Sequence, residues 1–214
     1  MRKWLSLTLG ITVLFWNCTP SQEGDTEPAT QTPTEPSTCY YELDTQSPQV
    51  KWTAFKTTEK VGVGGTFDSI AFSFTTTEGE SIAQLIKGIE ATIYTVSVNS
   101  GDTGRDGRIK RFFFGVMNVP DVINGKILEV SNDTVFIDIE MNGISKKVPF
   151  SMQYANDTLA LTTTINLADW EAQESVKSLN EACYDLHKGA DGISKLWEEV
   201  DLSIIAIIRK NCNA

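Results

Sequence analysis

Apolar and polar residues alternate most regularly over positions 134–166. Three runs carry apolar side chains at every second position: Val135, Ile137, Ile139 and Met141; Val148, Phe150, Met152 and Tyr154; Leu159, Leu161, Thr163 and Ile165. A period of two is typical of strands that bury one face. Asn142-Gly143 and Asn156-Asp157 separate the runs, and these residue types tolerate the positive φ of tight hairpins. The pattern therefore predicts a three-stranded antiparallel meander.

Weaker alternation on both sides of the meander extends the predicted sheet. Further runs fall at 50–56, 90–98 and 200–208. Over 61–76 the apolar phase shifts just after Phe67, which predicts one long strand with a bulge and a corner. An apolar sheet face must be buried, and a corner of this kind allows the sheet to close on itself. We therefore predict an all-β fold, a closed antiparallel barrel of about eight strands.

Two short helices are predicted near 104–113 and 171–188. In the second, an apolar stripe recurs every three or four positions, at Ala172, Val176, Leu179, Cys183 and Leu186. Asp169 is the predicted N-cap and Gly189 the predicted stop. We expect this helix to pack over one end of the barrel.

The N-terminus has the composition of an export signal and a linker. Arg2 and Lys3 precede an apolar run over 4–16, which is typical of a signal peptide, and Cys18 follows directly. We predict a signal peptide over 1–17 and lipid attachment at Cys18; the alternative is an ordinary signal peptide cleaved nearby. Residues 18–38 are rich in proline and acidic residues, which predicts a disordered, lipid-anchored tether before a domain over 39–214. The expected location is the cell envelope of a bacterium, as a periplasmic or outer-membrane lipoprotein.

Charge and cysteine content narrow the classes of partner. The net charge of −10 argues against nucleic acid, because no cluster of Lys and Arg is large enough to neutralise a row of phosphates.

The expected export of the protein favours a disulfide among its cysteines. Cys39 can pair with Cys212 if the first and last strands are neighbours, and Cys183 is a competitor. No metal site is predicted, since His187 is the single histidine and no cysteine pair has zinc spacing.

Several motifs resemble the YceI-like family, lipocalin-like proteins that bind polyisoprenoid lipids. The segment KWTAFKTTEKVGVGGTFDSI, with Gly65-Thr66-Phe67 at its core, is similar to the opening of that family. Arg105-Asp106 and the run Phe112-Phe113-Phe114 match its Arg-Asp pair and Phe pair, with Arg108 where a His is common. Asn142-Gly143 resembles its hairpin turn. The resemblance spans about residues 40–209 and implies a lipocalin-like barrel.

A barrel of this size can hold one apolar ligand. The predicted lining residues are aromatic or sulfur-containing: Trp52, Phe67, Phe72, Phe74, Phe112, Phe113, Phe114, Phe150 and Met152. Arg105, Arg108 and Lys110 lie beside the phenylalanine run, where they are predicted to meet a polar head. Together with the resemblance, these residues predict a carrier for an isoprenoid-type lipid, for example a quinone, with no catalytic residues and no other cofactor.

Two other functions are compatible with the same residues. The first alternative is a membrane-tethered interaction module whose barrel is filled by its own side chains. A weaker one is an enzyme that acts on the lipid. The predicted partners are therefore an apolar lipid and, through the anchor, a membrane; the sequence pattern does not specify an oligomeric state.

Overall fold

Residues 38–213 are described by a computed structural model, and in this part of the chain twelve β-strands are joined by turns and short helices. The strands are β1 Cys39–Leu43, β2 Gln49–Lys56, β3 Val61–Phe67, β4 Ile70–Ser73, β5 Glu78–Gly79, β6 Glu90–Tyr94, β7 Val98–Asn99, β8 Val122–Ser131, β9 Thr134–Met141, β10 Ile144–Ala155, β11 Thr158–Asn166 and β12 Leu196–Cys212. The α-helices are α1 Ile82–Ile86, α2 Thr103–Arg108 and α3 Gln173–Ala182. A π-helical turn follows α2 at Ile109–Phe113, and 3-10 turns lie at Thr95–Ser97, Phe114–Val116, Leu167–Trp170 and Tyr184–His187. The predicted signal peptide, Cys18 and all but the last residue of the predicted tether lie outside the described residues.

The described strands form one antiparallel sheet. Ten of them follow the order β4-β6-β8-β9-β10-β11-β12-β2-β3-β7, while β1 pairs with the last part of β12 and with β5. The sheet curls into a half-barrel that is open between its end strands, since no ladder joins β4 to β7 among the residues described. The predicted all-β antiparallel architecture is confirmed; the closed barrel of about eight strands is not.

The difference from the predicted barrel arises at one corner. Positions 61–76 do not form one long strand, because the chain leaves the sheet at Asp68-Ser69 and divides it into β3 and β4. β4 is one end strand of the sheet and pairs with β6, whereas β3 pairs with β2 and with the other end strand, β7. The shift in apolar phase after Phe67 therefore marks a break between two strands rather than a bulge within one.

The meander forms where the alternation predicts it, as β9, β10 and β11. The buried positions of β9 are Val135, Ile137, Ile139 and Met141, every second residue of the strand. Both hairpins turn on residues with positive φ: Asn142 at 54° with Gly143 at 77°, and Asn156 at 50° with Asp157 at 59°. These strands supply the central wall of the core.

Asn142 also joins three parts of the fold through its buried side chain. Its Oδ1 accepts a hydrogen bond from the Asn118 N–H at 2.7 Å, and its Nδ2 donates to the Trp170 carbonyl at 2.9 Å. Trp170 is itself fully buried and donates from Nε1 to the Ile139 carbonyl at 3.0 Å. One turn residue therefore satisfies the buried Trp170 carbonyl and the partly buried Asn118 N–H.

We expect Asn142→Ala to lower the free energy of unfolding by about 3 kcal/mol, because it leaves the buried Trp170 carbonyl and the partly buried Asn118 N–H without this partner and places alanine at a positive φ. Asn156→Ala is the matched control, since Asn156 has the same positive φ in a hairpin turn but an exposed side chain. That control should cost about 1 kcal/mol, the share due to backbone conformation. Urea unfolding of both variants measures the difference; equal losses would show that the hydrogen bonds of Asn142 contribute nothing.

The helical segments lie near their predicted positions, with different ends. Asp169 does not cap the second helix: it lies in the 3-10 turn Leu167–Trp170, and α3 begins after Glu171, which has a φ of 53°. α3 ends at Ala182, before the predicted stop at Gly189. Leu186 is exposed rather than part of the buried stripe. α3 packs against the π-helical turn, so the two helical segments form one layer.

The first and last described strands are covalently joined. Cys39 and Cys212 are directly opposite each other in the β1–β12 ladder and form a disulfide. Cys183 is a free thiol, buried at the end of α3. No helix among residues 38–213 is both long enough and apolar enough to cross a membrane.

Candidate functional site

An apolar cavity of about 220 Å³ lies inside the curled sheet. Residues from every described strand except β1 and β5 line it, together with the segment that contains the π-helical turn. Asn124 and Lys126 are its polar lining residues, but their side chains are bonded to other groups: Asn124 to Thr92 and Glu140, and Lys126 to Glu90 at 2.8 Å. The hydrogen bond and charge of Glu90 raise the pKa of Lys126. The cavity therefore favours apolar groups and offers no free polar side chain among its described lining residues.

Six of the predicted lining residues contribute to the cavity wall: Trp52, Phe67, Phe72, Phe113, Phe114 and Phe150. Phe74, Phe112 and Met152 do not. Phe74 stacks on Phe72 with 6.0 Å between ring centroids, and Met152 packs against the core next to the cavity. Phe112 carries the Arg111 guanidinium over its ring at 5.1 Å. The predicted aromatic set thus divides between the cavity and the surrounding core.

The π-helical turn places three residues of one segment against the cavity. Ile109, Phe113 and Phe114 line it, and the Phe113 and Phe114 rings meet edge to face with centroids 5.0 Å apart. The N–H of Phe114 donates to the carbonyls of both Ile109 and Lys110, which accommodates the extra residue of a π turn. We call residues 103–116, from α2 to the following 3-10 turn, the lid segment, because its apolar side faces the cavity.

Gly65 explains how Trp52 reaches the wall. A Cβ at Gly65 would lie 2.4 Å from the Trp52 ring, so only glycine lets the indole pass over this strand. The indole Nε1 donates to the Thr66 carbonyl at 3.3 Å, which fixes the ring across β3. The Gly65-Thr66-Phe67 motif therefore positions two cavity residues, Trp52 and Phe67.

Arg105 and Asp106 stabilise the loop before α2 and do not line the cavity. The Asp106 carboxylate accepts from the Ser100 N–H at 2.8 Å and from its hydroxyl at 2.5 Å. Arg105 donates from Nε to the Ser100 hydroxyl at 2.8 Å and from Nη2 to the Ser100 carbonyl at 2.9 Å. Asp102 caps α2, and the hydrogen bond from the Arg105 N–H lowers the Asp102 pKa. The guanidinium of Arg105 is thus already engaged within its own loop.

Arg108 and His187 lie at the junction of the two helical segments. The Arg108 Nε is buried and has no hydrogen-bond partner among the described residues. His187 is buried with its Nδ1 2.9 Å from Asn180 Oδ1. Burial first, and then the charges of Lys56 and Arg108, lower the His187 pKa to about 4, so this imidazole is neutral at pH 7. The junction is cationic through Arg108 and Lys56, with an unsatisfied donor on Arg108.

Aliphatic side chains form most of the cavity wall, and these are the residues that the aromatic set does not include. Prominent among them are Ile89, Ile93, Ile123, Ile127, Leu202 and Ile204. Ile93, Leu202 and Ile204 lie in the alternating runs 90–98 and 200–208, and this alternation is the sequence signal that could have identified them. In the described part of the chain, no three His, Cys, Asp or Glu residues are grouped so that they could hold a metal ion.

Comparison with known proteins identifies a family and a fold. The model of the YceI-like domain matches residues 41–205. A polyisoprenoid binding domain from Saccharophagus degradans, implicated in plant cell wall breakdown, superposes with a TM-score of 0.56 at 14% identity, covering 80% of this chain and 98% of that one. Burkholderia cenocepacia BcnA superposes with a TM-score of 0.51 at 13% identity, covering 78% and 99%. No curated protein matches the chain by sequence. At these identities the two structures show a shared fold.

Proposed function

The chain belongs to the YceI-like family, and on this premise we propose that it binds an isoprenoid-type apolar lipid, such as a quinone, and carries it without catalysing a reaction. The observation that carries the proposal is the cavity, whose wall is apolar over nearly its whole extent. Binding there is driven by apolar area removed from water, at ~25 cal/mol per Å² before ordering costs. The polyisoprenoid binding described for the Saccharophagus degradans domain supports the same ligand class.

The size of the cavity limits how much ligand it encloses. A cavity of roughly 150 Å³ is enough for one benzene ring. At about 220 Å³, this cavity accepts one end of a lipid and not a long chain. We infer that the remainder of an isoprenoid tail extends outside the cavity.

The polar head of the ligand belongs outside the apolar wall, since the described wall offers it no free polar group. Arg108 directly precedes the lining residue Ile109, and its Nε is a buried donor without a partner. A ligand oxygen that accepts from this donor would remove the cost of leaving it unpaired. We therefore assign the head contact to Arg108 rather than to Arg105, whose guanidinium is bonded to Ser100.

A membrane location completes the proposal. Lipid attachment at Cys18, after removal of a signal peptide over 1–17, would hold the domain on a tether over 18–38 at a membrane of the bacterial cell envelope. A tethered carrier has its ligand at high local concentration in the same bilayer. Mass spectrometry of the mature N-terminal peptide tests this part separately, through the mass of an acylated Cys18.

We expect protein purified without detergent to release an isoprenoid-type lipid on organic extraction, at a substoichiometric to equimolar ratio. Mass spectrometry of the extract measures it, and a parallel purification from cells that lack the protein is the control. The empty protein should also take up a decyl-tailed quinone, detected by quenching of Trp52 and Trp197 in the cavity wall. No extracted lipid and no quinone uptake would contradict a carrier function.

A filled-barrel interaction module is the second candidate function. The cavity volume favours it, because about 220 Å³ lies below the ~300–1,000 Å³ of typical ligand pockets. On this alternative the wall residues are core and the domain acts through its surface. The extraction and uptake measurements separate the two candidates directly.

A further inference from the structure

One side of β3 has no neighbouring strand over most of its length. β3 pairs with β2 from Val61 to Thr66, but β7 covers the other side only at Thr66 and Phe67. Among the described residues, the backbone of 61–65 has no hydrogen bond outside the β2 ladder. We call residues 61–65 the free edge, because the part of the chain that the structure describes supplies no partner strand for them.

Two exposed glycines of the free edge direct their backbone groups away from β2. In an antiparallel sheet, successive residues point their N–H and C=O groups to opposite sides of the strand. The Asp68 N–H donates to the Ser97 carbonyl at 3.0 Å, which is on the β7 side. Counting back in steps of two, Gly64 and Gly62 face that same side. Their two N–H and two C=O groups therefore lie at the free edge, where both residues are exposed.

The fold itself does not require a glycine at position 64. Gly64 is not among the residues with positive φ, and an added Cβ would lie 3.4 Å from its nearest atom, the Trp52 carbonyl oxygen. The only other atom close to that Cβ is the Thr53 hydroxyl, so both neighbours belong to β2 and none lies on the open side. Glycine weakens a strand, and within one it often marks a place where another backbone approaches closely. Here the approaching backbone is expected to come from another molecule.

The free edge lacks the features that usually prevent strands from pairing. Exposed edges of natural sheets commonly carry lysine, proline or a bulge. The sequence here is Val-Gly-Val-Gly-Gly, and its register with β2 runs without a shift. Because these five residues carry no charge, two copies of a chain with a net charge of −10 would place no like charges opposite each other within such a ladder.

We propose that the free edge pairs with the free edge of a second copy of the chain, as an antiparallel ladder across a two-fold axis. The spacing of the unpaired groups is self-complementary, which a two-fold interface requires. With the axis at Val63, Gly62 of each copy lies opposite Gly64 of the other. These two glycine pairs exchange four hydrogen bonds, and the two Val63 residues meet in the non-hydrogen-bonded position between them.

The length of the free edge limits the strength of this contact. Five residues a side are far fewer than the roughly 20–30 residues a side of a stable interface. We therefore expect a weak, reversible dimer that forms at high protein concentration, and not a permanent one. None of residues 61–65 lines the cavity, so the inference does not depend on the proposed function or on any ligand.

The end strand β4 offers a second open edge, but a less suitable one. It has only four residues, Ile70–Ser73, and none of them is a glycine. Pairing of β3 in one copy with β4 in another would be head-to-tail, and such contacts produce rings or open filaments instead of a dimer. Pairing through β3 alone closes the assembly at two copies.

Disulfide cross-linking at one position tests the register in the full-length protein. Two Cα atoms in a non-hydrogen-bonded pair are about 4.5 Å apart, which is within the range that a disulfide can span. Val63→Cys in a Cys183→Ala background should therefore form a covalent dimer under mild oxidation, measured on a non-reducing gel. Ala71→Cys is the matched control, because it is exposed on β4, and it should link at least about tenfold more slowly. Clustering through a lipid anchor would link both positions alike.

A proline at position 64 tests the hydrogen bonds themselves. Gly64→Pro removes an N–H that faces the free edge and leaves the β2 ladder intact, so the dimer loses two of its four hydrogen bonds. In the Val63→Cys background it should slow linking by about tenfold, whereas Gly64→Ala keeps the N–H and should stay within about twofold of its parent. Thermal melts followed by circular dichroism check that each variant is folded.

Sedimentation equilibrium of the wild type provides a measurement that needs no substitution. Between about 10 and 500 µM it should show a reversible equilibrium between monomer and dimer. A wild type that stays monomeric over this range would overturn the proposal. Equal linking rates at positions 63 and 71, or a proline variant that links as fast as the alanine variant, would also overturn it.

Discussion

Ala54→Phe combined with Ala91→Phe is expected to reduce uptake of a decyl-tailed quinone by at least about a hundredfold. Both alanines line the cavity, from β2 and β6. One benzene-sized ring takes up roughly 150 Å³ of cavity, so two added rings exceed the volume of about 220 Å³. A ligand that loses ~150 Å² of buried apolar surface loses about 4 kcal/mol of binding free energy. Quenching of the wall tryptophans measures the uptake.

Overpacking is the competing explanation for such a loss, and a size-matched control separates it. Added core volume costs about 1–3 kcal/mol when side chains are forced off their rotamers. Ala71→Phe with Ala160→Phe adds the same two rings on the outer face of the sheet, since Ala71 is exposed and Ala160 lies between the buried residues Leu159 and Leu161. The control should bind the quinone like the wild type. Undiminished uptake by the filled variant would mean that the quinone binds elsewhere on the protein.

The strands that could be predicted from the sequence are those in which apolar and polar residues alternate without a break. In β9, every second residue is buried and the hairpin residues Asn142 and Gly143 have positive φ, so local and tertiary preferences agree. The corner at Asp68-Ser69 was harder to predict, because a phase shift is equally compatible with a bulge and with a strand break. Short strands such as β5 and β7 span two residues each and have no periodicity to detect.

The sequence predicts which types of residue line the candidate site better than it predicts which individual residues do so. Apolar residues of the right type surround the cavity, but the run Phe112–Phe114 lies on a helical turn, where neighbouring side chains point in different directions. Phe113 and Phe114 consequently line the cavity and Phe112 does not. Arg105 binds Ser100 through a loop geometry that residue spacing does not reveal. The structure shows which residues line the cavity. That these residues contact a ligand stays a prediction.

Removal of the Cys39–Cys212 disulfide is expected to lower the free energy of unfolding by about 3–5 kcal/mol. The bond links residues 173 positions apart, and cross-linking so long a loop removes much of the entropy of the unfolded chain. It also fixes β1 to β12 at the far end of their ladder, where β1 has only the two-residue strand β5 on its other side. The disulfide therefore acts on the unfolded state and, in the native state, on a strand whose other neighbour is only two residues long.

A Cys183→Ala background gives the cleanest measurement, because it removes the buried thiol that could otherwise exchange with the disulfide. In that background, urea unfolding compares the oxidised protein with Cys39→Ser/Cys212→Ser. The double variant should have a lower midpoint and a larger m-value, since an unlinked unfolded chain exposes more surface. Non-reducing peptide mapping of the wild type should recover Cys39 and Cys212 in one linked peptide. A stability difference below about 1 kcal/mol would show that native contacts alone hold β1 in place and that the cross-link adds little to them.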